Sequence, residues 1–350
     1  MRRRRFAIIA VLFAALFLPG AKLSAAEAEE QDLDVEEYLF GHIGDSYEWH
    51  LFTWNGKEVS IPLPCIVFDG GLKLFSSERI IHGETYQGLR IAGKEEAHSG
   101  KIVRASDGTR PFDISITKNV AGLMFNAILL IVLILLCARW YRRHDVLKEE
   151  PRGLAGLLEP LIVMINDEVI KPAVGPEYRR FSPYLLTAFF FILITNLMGI
   201  VPFFPGGANI TGNIAVTLVL ALFTFAMVNL FGNKHYYKDI FWPDVPIFLK
   251  AIPIMPLIEI IGMFTKPFSL MVRLFANILA GHIMLLSTLL LIFLTARMGA
   301  VINGSLTFIA VLFGIFLDVL ELLVAFLQAY VFTMLSAVFI GLAHPTPETH

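Results

Sequence analysis

The sequence predicts an all-α polytopic membrane protein. It should have about five transmembrane passes ending in a long, strongly tilted C-terminal helical hairpin, preceded by a small exported N-terminal segment. Three observations carry this. Of 350 residues, 56% are hydrophobic and only 17% are charged, where a soluble domain carries about 25%. Charge-free runs recur at the length that crosses a bilayer. Basic residues gather beside particular runs instead of spreading along the chain, which is the asymmetry that sets membrane orientation. The net charge of -2 therefore hides a segregation, with acids concentrated near the N-terminus. Nothing points to nucleic acid, because the basic run Arg2–Arg5 is short and opens a targeting signal.

Arg2–Arg5, the apolar run Phe6–Leu18 and the small residues Ser24-Ala25-Ala26 make residues 1–26 a secretory signal peptide, cleaved near Ala26. The competing reading is a short uncleaved anchor; both export the residues beyond Ala26. Residues 27–118 form the exported, periplasmic segment. It is acidic over Glu27–Glu37, then shows short apolar runs at Leu51–Trp54, Val59–Val67, Leu72–Phe75 and Ile114–Ile116. Asn55-Gly56 and Asp69-Gly70-Gly71 are turn signals between them, so a small β-rich module is expected. His42, His50 and His82 lie here near Asp45 and Glu48. Without a ligand spacing such as HExxH they read as surface histidines in preference to a metal site. Cys65 and Cys137 fall in segments on opposite sides of the expected membrane, so no disulfide is expected.

The membrane domain spans 119–343. Val120–Ala138 is 19 residues without a charge and ends at Arg139-Trp140-Tyr141-Arg142-Arg143, a basic cytoplasmic end with interfacial aromatics. The first pass (119–140) therefore runs outside to inside, in agreement with the signal peptide. The loop to Arg180 is basic and holds an amphipathic stretch, Leu154–Ile170. Phe181–Asn233 has no Asp, Glu, Lys or Arg in 53 residues. It reads as two passes, 181–203 and 212–233, folded at Pro202–Gly212. Residues 241–264 carry Pro243, Pro246, Pro253 and Pro256 with Asp244, Lys250 and Glu259, and are expected to form a broken, re-entrant segment. The last two passes, 265–296 and 306–343, contain apolar runs of 30 residues (Pro267–Ala296) and 38 residues (Leu306–Ala343). Helices of about 45 and 57 Å must tilt or bend in a core of about 30 Å. A cytoplasmic tail, 344–350, closes the chain.

Arg273 is the sole Asp, Glu, Lys or Arg in Pro267–Ala296. A guanidinium at bilayer depth costs at least about 2.5–3.5 kcal/mol and cannot shed its proton. By the 3.6-residue period Arg273, Asn277, Ala280, Gly281 and Met284 share a face, while His282 points to the opposite side. On the last run Asp318, Glu321, Ala325 and Gln328 share a stripe, and no basic residue lies in Leu306–Ala343. An antiparallel hairpin can bring that stripe to Arg273 and His282. His282 and Glu321 can titrate; Arg273 can only attract a carboxylate or repel a proton; Asn277 and Gln328 could hold the guanidinium. The competing readings are a structural pair of Arg273 with Glu321 or Glu259, a water-facing Asp318, and snorkelling of Glu259 and Lys266 to an interface.

Lys266-Pro267-Phe268-Ser269-Leu270-Met271-Val272-Arg273-Leu274-Phe275-Ala276-Asn277-Ile278-Leu279-Ala280-Gly281-His282 closely resembles the arginine motif of subunit a of F-type ATP synthases. Thr195-Asn196-Leu197-Met198-Gly199-Ile200-Val201-Pro202, Thr211-Gly212-Asn213-Ile214-Ala215 and Leu327-Gln328-Ala329-Tyr330-Val331-Phe332 resemble further family segments, in order. The resemblance covers roughly residues 119–343. It implies a stator subunit in the bacterial inner membrane, with its N-terminus periplasmic and C-terminus cytoplasmic. Its partners would be a ring of c subunits, the subunit b stator stalk and lipid. It implies no cofactor, no metal and no catalytic site of its own. Arg273 would face the ring carboxylate, with His282, Glu321, Asn277, Gln328, Glu259 and Asp318 along the proton path. Many members carry an acid where His282 stands and a histidine where Glu321 stands, so the pair is exchanged here. A secondary transporter using Arg273 to bind an anionic substrate is the alternative, but no matching halves are seen. An intramembrane hydrolase would need a motif such as GxSxG or HExxH, and neither occurs.

Overall fold

In the computed structural model, residues 44–54, 57–81, 84–93, 96, 98–145, 149–201, 204–241, 254–295 and 300–344 are described. The first part is a β-rich module. Strands β1 (Glu48–Trp54) and β2 (Lys57–Pro62) form an antiparallel hairpin. Strand β3 (Pro64–Phe68) lies between β4 (Leu72–Ser76) and β7 (Phe112–Asp113), antiparallel to both. Strands β5 (Leu89–Ile91) and β6 (Ile102–Arg104) pair separately. Alternation along β3 sends Cys65 and Val67 fully inward, as a half-buried strand requires. At the β3–β4 turn the Asp69 amide donates to the Gly71 carbonyl at 3.0 Å, with Gly70 at φ 64°, a conformation glycine adopts without a Cβ penalty.

Tyr47, Cys65, Val67, Phe75, Ile80, Leu89 and Ile102 make the module's core. The Tyr47 hydroxyl donates to Asp113 at 2.5 Å; burial first, then that carboxylate, raise its pKa. Burial likewise pushes the Cys65 thiol up to about 11, and both Cys65 and Cys137 are free. The expected run Val59–Val67 divides at Leu63 into two strands of different sheets. Of the three histidines, His42 and His82 lie outside the described residues and His50 is exposed. Among the described residues no three potential metal ligands come together.

The helical part holds α1 (Lys118–Arg143), α2 (Leu154–Met164), a π-helical run Ile165–Ile170, α3 (Lys171–Val174), α4 (Tyr178–Ile200), α5 (Ile214–Leu230), α6 (Lys234–Phe241), α7 (Ile254–Thr295) and α8 (Ala300–Ala343). Among the described residues, four stretches are long and apolar enough to cross a membrane: Lys118–Arg143, Tyr178–Ile200, Leu257–Ile292 and Ile302–Ala343. Helix α5 is apolar but shorter, at 17 residues. Helix α1 has no side-chain cap from its own Thr117. Its first-turn N–H groups, which no helix can satisfy internally, donate instead to the module: Asn119 N to Asp45 Oδ1 at 3.0 Å and Lys118 N to the Ser46 carbonyl at 2.8 Å. At the start of α5, the Asn213 side chain accepts from Ala215 N at 3.0 Å, an ordinary N-cap.

Helix α4 is the packing centre. Phe181, Leu185, Phe189 and Ile192 along it are fully buried, and it packs against α1 and α8. Helices α7 and α8 form a long hairpin, with α5 against α7. The residue in α8 that fixes its far end is Gly341: a Cβ there would lie 2.0 Å from the Ala173 carbonyl oxygen, so the glycine lets the backbone of α3 come into contact.

The hairpin differs from the sequence expectation in one respect. Residues 254–264 are not a separate broken segment but the first turns of α7, continuous through 42 residues, or about 63 Å. Pro256 sits in the opening turn, where a missing N–H costs nothing. Pro267 lies inside, where it removes one backbone hydrogen bond without ending the helix. Pro243, Pro246, Pro253, Asp244 and Lys250 lie outside the described residues.

Candidate ion-path residues on the long hairpin

His282 and Glu321 meet. Their side chains are 15% and 8% exposed, and His282 Nδ1 stands 2.9 Å from Glu321 Oε1. With Nδ1–H donating to the carboxylate, a neutral imidazole presents its lone pair at Nε2. That nitrogen lies 3.5 Å from where a Cβ on Gly199 would be, and the Ala208 carbonyl lies 3.9 Å from the same point. Gly281, beside His282, brings α7 close to α8: a Cβ there would be 3.7 Å from Glu321 Oε1. Gly281 and Gly199 thus both border the pair.

Arg273 stands on the other side of α7. Nine residues at 100° each put it opposite His282 and about 14 Å along the axis. It is exposed, and so are Asn277, Ala280 and Met284 in the same stripe. Among the described residues Arg273 has no ion pair; the alternative pairing with Glu321 or Glu259 does not form. The antiparallel register set by His282 and Glu321 brings Gln328 level with Phe275, two residues from Arg273. Yet Gln328 is buried, 8% exposed, and no hydrogen bond joins it or Asn277 to the guanidinium. The expected stripe on α8 divides: Glu321, Ala325 and Gln328 are buried, whereas Asp318 is exposed. Glu259 is exposed in the first turns of α7. It lies 23 residues, or about 34 Å, from His282, so the two cannot share one polar site.

Asn196 and Thr211 have no part that the sequence alone could assign. Asn196, 3% exposed, donates from Nδ2 to the Ala325 carbonyl at 3.2 Å and accepts from Thr211 Oγ1 at 2.7 Å. This ties α4, α8 and the loop before α5 together one turn beyond Glu321. A second buried link joins the same helices further along: Tyr184 and Thr224 share a hydrogen bond at 2.8 Å, and Thr224 and Ser336 another at 3.2 Å. The available signal was polar residues inside charge-free runs.

An exposed arginine without an ion pair among the described residues, and a buried histidine–glutamate pair on the opposite side of the same apolar helix, define a polytopic membrane protein built around ionisable groups at bilayer depth. The particular family follows from comparison with known sequences. The ATP synthase A chain profile matches residues 123–341. The chain belongs to that family. It is 42% identical over 248 residues to ATP synthase subunit a 2 of Chlorobaculum tepidum, covering 68% of this chain and 66% of that one. It is 45% identical over 241 residues to ATP synthase subunit a 2 of Prosthecochloris aestuarii, covering 66% and 69%. With ATP synthase subunit a of Myxococcus xanthus the identity is 43% over 253 residues, covering 70% and 78%. Residues 38–121 match a separate family described as a domain of unknown function.

Proposed function

We propose that this chain is the proton-translocating stator subunit of a rotary ATP synthase, seated in the bacterial inner membrane against a ring of c subunits and beside the subunit b stalk. The module faces the periplasm and the C-terminus of α8 the cytoplasm. In the first pass, the basic end Arg139–Arg143 lies away from the module, as positive-inside asymmetry requires.

The observation that carries the reading is the division of labour across α7. On its buried side, His282 Nε2 can take a proton arriving from the periplasm while Nδ1–H stays on Glu321. Transfer of the Nδ1 proton to Glu321 then leaves a neutral imidazole and a neutral carboxyl, and Glu321 passes the proton toward Gln328 and the ring. On its exposed side, the Arg273 guanidinium has no ion-pair partner among the described residues, so its charge is available to a carboxylate on another subunit. It attracts that carboxylate once the proton has left toward the cytoplasm, and its fixed charge blocks direct proton leakage. A charge crossing 100 mV is worth only about 2.3 kcal/mol, so leakage would dissipate what the rotor uses. Asn277, in the same stripe, lies one turn nearer His282 and faces the same partner. Asp318 and Glu259 sit at the edges of the route, Glu259 on the cytoplasmic side only.

The test is ATP-driven proton pumping in vesicles carrying Arg273→Ala, normalised to assembled complex. Pumping is expected to be abolished; wild-type pumping would refute the reading.

A further inference from the structure

We propose that the β-rich module positions the proton inlet: through Trp49 it holds the loop at 204–212 in the arrangement that leaves His282 Nε2 open to the periplasmic side. This rests on the reading of His282 above and gives a part to a segment whose family has no stated function.

The module is joined to the helices by more than chain connectivity. Asp45 and Ser46 satisfy the first N–H groups of α1. Trp49 on β1 is 6% exposed and buried with Ala208 and Ile210 in a cluster of its own, with Ala121, Leu123 and Val216 packed around it. Its ring meets Phe204 edge-on, centroids 5.3 Å apart at 71°, a favourable aromatic geometry. The other side of the loop has no slack: a Cβ on Gly122 of α1 would lie 2.9 Å from Ala208 Cβ and 3.1 Å from Ile210 Cδ1. The loop is therefore clamped between Trp49 and α1.

Ala208 is the link. Its side chain belongs to the Trp49 cluster, while its carbonyl borders the gap left by Gly199, where His282 Nε2 also lies. Three buried polar atoms have no hydrogen-bond partner among the described residues: Asn209 Nδ2, next to Ala208; Thr195 Oγ1, one turn of α4 from Gly199; and Asn126 Oδ1, one turn of α1 from Gly122. Their residues are 7%, 1% and 2% exposed. Buried polar groups of this kind are ordinarily met by water where the protein does not meet them. The carbonyl side of Ala208 thus borders the approach to His282, while its apolar side is held by Trp49 from the module.

Trp49 touches neither the proton nor the ring, so it is a positioning residue. The experiment measures proton-driven ATP synthesis per assembled complex in vesicles, for Trp49→Ala, Trp49→Phe, Phe204→Ala and His282→Ala. Without the indole, the loop populates other arrangements. Synthesis with Trp49→Ala should fall roughly tenfold, as expected when the competent arrangement drops to about a tenth of the population. Trp49→Phe should recover most of it, because a ring remains against Phe204. Phe204 is 47% exposed, so its removal opens no core; Phe204→Ala should lower synthesis about threefold by the same population argument. It decides the matter if Trp49→Ala fails to accumulate. Wild-type rates in Trp49→Ala, or in Phe204→Ala where that variant decides, overturn the proposal. So does a Trp49→Phe rate as low as that of Trp49→Ala. If His282→Ala itself transports normally, the underlying reading fails; if it is impaired while the module variants are not, the module's role alone fails.

Discussion

Exchanging the two members of the buried pair tests whether they act as a unit. His282→Glu would set a second carboxylate against Glu321 at a contact that is now 2.9 Å. Charge centres in such contact stand about 4 Å apart, and at an effective dielectric of about 20 two like charges there repel by about 4 kcal/mol. That suppresses the doubly ionised state by nearly three orders of magnitude. Glu321→His fails differently, leaving two imidazoles and no acid. The double exchange restores one acid and one imidazole at the same spacing. Groups in direct contact couple by about 0.5–3 kcal/mol, so the double variant should pump at least about fivefold better than the better single variant, taking about 1 kcal/mol of coupling. The assay is ATP-driven acidification of inverted vesicles, normalised to assembled complex. A double variant no better than either single one would refute coupling between the two positions.

Two further predictions concern packing and pH. Gly341→Ala drives a methyl group into the Ala173 carbonyl, 2.0 Å from the built Cβ. It should lower the thermal stability of the detergent-solubilised chain by about 1–3 kcal/mol, and an unchanged melting temperature would argue against the α3–α8 contact. In the module, hydrogen bonds from Lys73 at 2.7 Å and Arg104 at 2.6 Å hold the Asp69 carboxyl below the usual carboxylate range. A depressed folded pKa gives stability that is present above the unfolded value near ~3.9 and lost as pH falls through the folded value. Asp69→Asn should therefore destabilise the module at neutral pH, with the difference from wild type closing as pH falls through the depressed folded value. Thermal unfolding followed by circular dichroism at several pH values checks this, and a difference independent of pH would contradict it.

Much of the helical fold was legible because bilayer burial leaves a coarse signal. Long apolar runs marked α1, α4, α7 and α8, and the absence of charge over Phe181–Asn233 required a turn inside it. A proline misled: Pro256 counted toward a broken segment, yet it falls in the first turn of α7, which runs on through Pro267. The pairing of His282 with Glu321 was foreshadowed by helical period and antiparallel sense, but its register is visible only once α7 and α8 pack. Asp318 and Glu321 shared a stripe in sequence and separate in space, because three residues on a helix differ by about 60° and the edge of the packed surface falls between them. Strands β5 and β6 escaped notice because three-residue strands carry too little alternation to read. The contact of Trp49 with Ala208 joins residues far apart in sequence, and no local pattern encodes it.

The most direct test of the account is proton pumping by Glu321→Gln beside Glu321→Asp. Glutamine keeps an acceptor for His282 Nδ1–H but cannot exchange a proton; aspartate shortens the side chain but can. If protons pass through the pair, Glu321→Gln should pump at least about tenfold more slowly than wild type, a conservative value for losing a proton-transfer group, and Glu321→Asp should pump faster than Glu321→Gln. Wild-type pumping in the glutamine variant would contradict the account.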